Sequence, residues 1–145
     1  MNAIAAAGYS GKPLAEKLGL KAGMTAAFIA LPDSLAGLAA IAGLAASDSY
    51  SQWRSARGVQ KYDFIHAFSK MRAEVEDGLS RLQAALRRDG MIWVSWPKKA
   101  SKVATDLDEN VVRAAALRLD LVDVKVAAVD EVWSGLKLVI RKDRR

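Results

Sequence analysis

Leu121-Val-Asp-Val-Lys-Val-Ala-Ala-Val129 and Leu136-Lys-Leu-Val-Ile-Arg141 decide how this chain closes its sheet. Val122, Val124 and Val126 alternate with Asp123 and Lys125, and Leu136, Leu138 and Ile140 alternate with Lys137 and Arg141. That period of two is a strand with unlike faces. Only Asp130 to Gly135 separates the two runs, so they are expected to pair as an antiparallel hairpin. Upstream, Asp108 is placed to cap a helix carrying Val111, Ala115 and Leu119 on one face. Before it, Met91 to Trp96 is a continuous apolar strand closed by Pro97, with Lys98 to Asp106 as a loop. Further back, Ser69 can cap a long helix with Met71, Val75, Leu79, Leu82 and Leu86 on its apolar face, ended by Asp89-Gly90. Aromatic-rich Tyr62 to Phe68 reads as another buried strand.

The first half is built of shorter signals. Pro13 suits a helix first turn and Gly19 a stop, with Leu14 and Leu18 on one face. Met24 to Leu31 is a strand-length apolar run. Pro32-Asp33-Ser34 then opens a predicted helix over Leu35 to Ala46, weakened by Gly37 and Gly43. Ser47 to Lys61 is polar and mixed, with a short strand expected around Tyr50 to Trp53. Strands alternating with helices point to an α/β domain of three layers with a mostly parallel sheet. The 145 residues fit a single domain over 1–145, with 1–12 as a partly ordered N-terminal segment and 142–145 as a basic tail.

Composition narrows the function classes. The chain is 52% apolar and has no cysteine, which excludes disulfides, thiolate metal sites and a Cys nucleophile. One histidine excludes a His-rich metal site. Neither Met1 to Ala7 nor Met24 to Ala46, interrupted by Pro32 and Asp33, reads as a signal or membrane element, so a cytoplasmic protein is expected. Of the net charge of +6, Arg141, Lys142, Asp143, Arg144 and Arg145 supply +3, four basic residues less one acidic. This segment reads as a solvated end, and nucleic acid is not the expected partner, because no RNA- or DNA-binding motif accompanies it.

The order strand, long helix, strand, helix and terminal antiparallel pair over Tyr62 to Arg141 resembles the second half of S-adenosylmethionine-dependent methyltransferases, a Rossmann-like fold. Arg88-Asp-Gly-Met-Ile-Trp-Val-Ser95 looks like their turn into the fifth strand. The phrases Gly8-Tyr-Ser-Gly-Lys-Pro13, Tyr62-Asp-Phe-Ile-His66, Trp93-Val-Ser-Trp-Pro-Lys-Lys-Ala-Ser101, Val103-Ala-Thr-Asp106 and Val129-Asp-Glu-Val-Trp-Ser-Gly-Leu-Lys137 are also similar to those of a small bacterial family classed as a domain of unknown function. That second resemblance implies no activity. Against the first stands Phe28-Ile-Ala-Leu-Pro-Asp-Ser34, which has no glycine where a cofactor-binding methyltransferase turns sharply after strand one. No cofactor is therefore expected, and S-adenosylmethionine is doubtful.

In a parallel sheet the C-terminal ends of the strands form the rim that holds ligands. Topology brings Tyr9, Ser10, Gly11 and Lys12, Trp96, Lys98, Lys99 and Ser101, and Trp133 to this rim as expected ligand-binding residues. His66, Asp130 and Glu131 are weak catalytic candidates there. Structural readings compete: Trp93 and Trp96 lie on opposite faces of a strand and at least one belongs to the core, His66 can be a hydrogen-bonded core histidine, and Asp130 and Glu131 can open a turn. No P-loop, nucleophile elbow or HExxH sequence is present. The leading expectation is a non-catalytic domain holding a small anionic ligand at the rim. The alternatives are a diverged enzyme of methyltransferase-like fold and a protein interaction module; homo-oligomerisation is left open.

Overall fold

The computed structural model describes residues 12–145. Helix α1 (Lys12–Leu18) stops before Gly19 and leads into strand β1 (Thr25–Ile29). After β2 (Ala46–Tyr50) and β3 (Tyr62–Phe68) come α2 (Arg72–Ala85), β4 (Leu86–Pro97), α3 (Glu109–Leu117), β5 (Leu121–Ala128) and β6 (Trp133–Ile140). The six strands form one sheet in the order β2-β1-β3-β4-β6-β5. β2, β1, β3 and β4 are mutually parallel, and β6 is antiparallel to both β4 and β5. β5 consequently runs parallel to β4, and the expected terminal hairpin is present.

Two apolar layers sandwich this sheet, as strand alternation requires. On one face Ala26, Phe28, Phe64 and Trp93 pack with Leu18, Leu20 and Leu38. On the other Ile65, Ala67, Ile92, Val94 and Trp96 pack with Val75, Leu79 and Leu82 of α2 and Val112 and Ala116 of α3. Trp93 and Trp96 therefore divide between the faces and both are core; Trp93 Nε1 donates to Leu18 O at 2.8 Å and pins α1 down. Asp108 accepts from Val111 N at 2.9 Å, the expected cap of α3. Arg113 of α3 reaches Asp123 of β5 at 3.0 Å as well as Glu109, tying helix to strand.

Several boundaries differ from the sequence reading, each for a physical reason. Leu35 to Ala46 is not an α-helix: a 3-10 helix covers Asp33–Ala40 and buries only Leu38 fully. Leu35, Leu38, Ile41 and Leu44 still pack against the sheet, but Gly37 weakens an α-helix and Gly43, at φ +87°, turns the chain out of it. The remainder opens into β2, so the edge strand lies at Ala46–Tyr50 rather than Tyr50 to Trp53. α2 ends at Ala85, and β4 begins at once, its register with β3 shifting between Tyr62 and Phe64. Asp89-Gly90 thus lies within a strand irregularity. In β5 a register shift between Asp123 and Lys125 breaks the alternation, so Val124 and Val126 face outward on the sheet edge. None of the described helices is long and apolar enough to cross a membrane.

Candidate functional site

Chain order reverses direction across the sheet at β1 and β3. β1 connects to β2 on one side, and β2 crosses back to β3 on the other. Such a switch point opens a crevice outside the C-terminal ends of the two strands, where ligands of α/β sheets bind. Its floor is the turn after β1. Ala30 there has φ +55°, the left-handed conformation that glycine usually supplies, and its amide donates to Tyr50 O at 2.8 Å. An L-residue held so is strained by about 1–2 kcal/mol, and such strain concentrates at functional sites. The sharp turn is therefore made without glycine. Leu31 and Pro32 follow, half-buried, the latter with no N–H to offer.

A groove of about 570 Å³ runs between the segment Gln52–Arg54, which follows β2, and α2, lined by Met71, Glu74, Asp77 and Gly78. Trp53 forms its base. The indole is buried, and Nε1 donates to Phe68 O at 2.9 Å, the last carbonyl of β3. Gly78 allows α2 this close, since a Cβ there would lie 3.0 Å from Trp53 Cε3. Ser69 accepts from Met71 N at 3.0 Å and donates to Glu74 at 2.5 Å, turning the chain into α2. Met71, expected on the buried face of the helix, is instead 59% exposed at the mouth of the groove. Behind β2, Tyr62 Oη donates to Asp48 at 2.6 Å and lies 2.7 Å from Tyr50 Oη. The Tyr62 hydroxyl holds the Asp48 carboxyl below its ordinary range, with Lys61 adding to it; burial together with Asp48 pushes the Tyr62 phenol up.

The residues expected at the rim are distributed differently. Tyr9, Ser10 and Gly11 lie outside the described residues, and Lys12 opens α1. Trp96 belongs to the core of the α2/α3 face, turned away from Trp133. Trp133 is half-buried, with its ring edge-on to Phe68 at 5.2 Å between centroids. Lys98 N donates to Val132 O at 2.8 Å, so the Lys98 and Trp133 segments form one corner. Ser101 Oγ donates to Lys98 O at 2.7 Å and accepts from Val103 N at 3.2 Å, a turn-closing role. Lys98 and Lys99 have no ion-pair partner among the described residues.

The weak catalytic candidates take structural positions. Asp130 accepts from Val132 N at 2.9 Å and Trp133 N at 2.7 Å, holding the β5–β6 turn. Glu131 is exposed on that turn. His66 is fully buried, stacked on Phe68 at 4.2 Å, with Nε2 2.7 Å from Ser95 Oγ and no partner for Nδ1. Burial pushes the imidazole down to about 3, so it is neutral at physiological pH. Gly135 makes room for Ser95: a Cβ there would come within 2.9 Å of its Oγ.

No family model matches the chain, and no curated protein matches it in sequence. Solved structures do match its fold. Magnesium protoporphyrin IX methyltransferase from Synechocystis with bound S-adenosylhomocysteine superposes with a TM-score of 0.66 at 12% identity, covering 97% of this chain and 90% of that one. The same enzyme with bound S-adenosylmethionine gives 0.66 at 13% identity over 97% and 87%. An S-adenosylmethionine-dependent methyltransferase from Aquifex aeolicus gives 0.60 at 13% identity over 90% and 89%. The chain has the Rossmann-like α/β fold of these proteins. The likeness corrects the expectation of no cofactor and the doubt over S-adenosylmethionine: chains solved with that molecule and with its demethylated product share this fold over nearly the whole length. Ala30, at φ +55°, makes the sharp turn after β1 without a glycine.

Proposed function

We propose that the chain is a diverged domain of methyltransferase-like fold that takes an S-adenosyl ligand in the crevice outside β1, β2 and β3. The observation that carries this reading is the strained, left-handed Ala30 turn at the switch point of the sheet. Around it the residues present suit such a ligand. Exposed Met71 and the edge of Trp53 offer an apolar strip for a flat ring within a groove otherwise lined by Arg54, Glu74, Asp77 and Arg81, and Gln52 follows the end of β2, where ribose hydroxyls are held in sheets of this kind. Bound S-adenosylmethionine would supply an electrophilic methyl group. The chain's own part is orientation. His66 is neutral beneath Phe68 and Asp130 holds a turn, so positioning rather than proton transfer is what these residues provide.

The acceptor side of the same reading is the corner of Trp133, Lys98 and Lys99. Two lysines without carboxylate partners among the described residues, beside a half-buried indole, favour a small anionic acceptor carrying an apolar body. Calorimetric titration with S-adenosylhomocysteine tests the ligand. The folded wild type is expected to bind one equivalent, and Met71→Glu to bind about tenfold more weakly, a loss of about 1.4 kcal/mol. No heat from the wild type at millimolar ligand ends the proposal. Phosphate- and carboxylate-bearing metabolites titrated against Lys98→Ala/Lys99→Ala test the acceptor corner; identical binding by both proteins removes it.

A further inference from the structure

At the opposite end of the sheet, away from the crevice, four chain segments meet. β4 starts at Leu86, paired with Tyr62, and β5 starts at Leu121, paired with Ile140 at the close of β6. These pairings gather Arg87 and Arg88, Arg118 at the end of α3, and the segment Arg141 to Arg145. That last segment is folded back on the sheet. Lys142–Arg144 forms a 3-10 turn, Arg145 Nε donates to Ile140 O at 2.7 Å, and Arg88 Nη1 donates to Arg144 O at 2.9 Å. The sequence suggested a loose basic end; the fold makes it one side of a fixed cationic surface.

Compensation on this surface is partial. Asp63 takes Arg87 at 3.4 Å, Asp120 faces Arg144 at 3.6 Å and Arg141 at 3.8 Å, and Asp143 lies 3.8 Å from Arg141. Arg88, Arg118, Lys142 and Arg145 have no carboxylate partner among the described residues, and all four are exposed. The guanidinium bonds of Arg88 and Arg145 end on main-chain carbonyls, which fixes the side chains without neutralising them. Three of the four are arginines, whose planar fork matches phosphate oxygens. Of the strongly exposed hydrophobics only Leu117 belongs to these segments, beside Arg118, so the surface is dominated by charge and suits a hydrated polyanion rather than insertion into lipid.

We propose that this end of the sheet binds the phosphate backbone of a single-stranded nucleic acid through Arg88, Arg118, Lys142 and Arg145. The contact is sequence-independent and electrostatic. Neutralising four phosphates gives a slope of about −3 in log K against log salt, or about a 50-fold loss between 50 and 200 mM salt.

The test is fluorescence anisotropy of a labelled 20-nucleotide RNA of mixed sequence with the intact chain. Binding at 50 mM salt with that slope is expected, reduced about tenfold or more in Arg88→Gln/Arg118→Gln/Lys142→Gln/Arg145→Gln and unchanged in Lys98→Ala/Lys99→Ala. Arg118→Glu and Lys142→Glu, whose wild-type side chains make no hydrogen bond or ion pair among the described residues, keep the test informative if the fourfold variant fails to fold; each is expected to weaken binding on its own. The proposal is overturned by absence of binding at 50 mM salt, by equal binding of wild type and the charge variants, or by displacement of the RNA as readily by polyglutamate or anionic vesicles as by unlabelled RNA.

Discussion

His66 is the residue whose chemistry is most altered by its surroundings. It sits between Phe64 and Phe68 on one face of β3, with Trp93 of β4 at 6.5 Å and Ser95 as its single hydrogen-bond partner. Desolvation alone lowers its proton affinity, to about 3 from 6.5, because no carboxylate is near enough to favour the imidazolium. The unfolded chain therefore binds a proton that the folded chain refuses. Stability from this group is fully present above pH 6.5 and is lost as pH falls toward 3, at about 1.4 kcal/mol per pH unit. His66→Gln, which keeps a hydrogen-bonding amide beside Ser95 and cannot titrate, is expected to flatten the urea-unfolding free energy between pH 6.5 and 4.5. A wild-type and variant difference that stays constant over that range sinks the assignment. The sequence showed a lone histidine on a buried strand; the depth of burial came only from the pairing of β3 between β1 and β4, which no local pattern encodes.

At the scale of elements, legibility followed the amount of apolar surface each segment had to bury. β3 runs from Tyr62 to Phe68 as read, because six of its seven positions, all but Asp63, are large or apolar and admit little else there. Leu35 to Ala46 was misread because Leu35, Leu38 and Ile41 fall near helical spacing, whereas the chain forms only a 3-10 stretch and leaves it through the Gly43 turn at φ +87°. Met71 was misplaced because Ser69 and Asp106 set the start of α2 two residues later than a Ser69 cap implies: Ser69 takes Met71 N, and Asp106 takes Arg72 N at 2.6 Å. The cap of α3 was legible since it needs only a short range in sequence, Asp108 to Val111. Asp108→Ala is expected to cost about 1 kcal/mol, a melting-point drop of about 3 °C for a chain of this size. Unchanged melting in a calorimetric scan would show that the ion pairs of Arg113 hold α3 without the cap.

Across the whole molecule the two ends of the sheet differ in kind. The C-terminal rim has a strained turn and a groove of mixed polarity; the N-terminal end has guanidinium groups that outnumber their carboxylates. The rim's outline was legible in the sequence because parallel strands must end on one side, yet its floor was not, since Ala30 carries no signal for a left-handed backbone. The basic surface was not legible because Arg88 and Arg145 stand 57 positions apart and meet only through β4, β6 and β5. If each end has its own ligand, protection from hydrogen exchange divides accordingly, because a ligand slows opening where it binds. S-adenosylhomocysteine is expected to slow the amides of Leu31, Ser51 and Gln52 while leaving Lys142 to Arg145 unchanged. A single-stranded oligonucleotide is expected to slow Arg87, Arg88 and Arg141 to Arg145 while leaving the crevice amides as they were. Protection of one common set by both ligands would mean that the sheet has a single binding end, with the phosphate backbone and the adenosyl group competing for it.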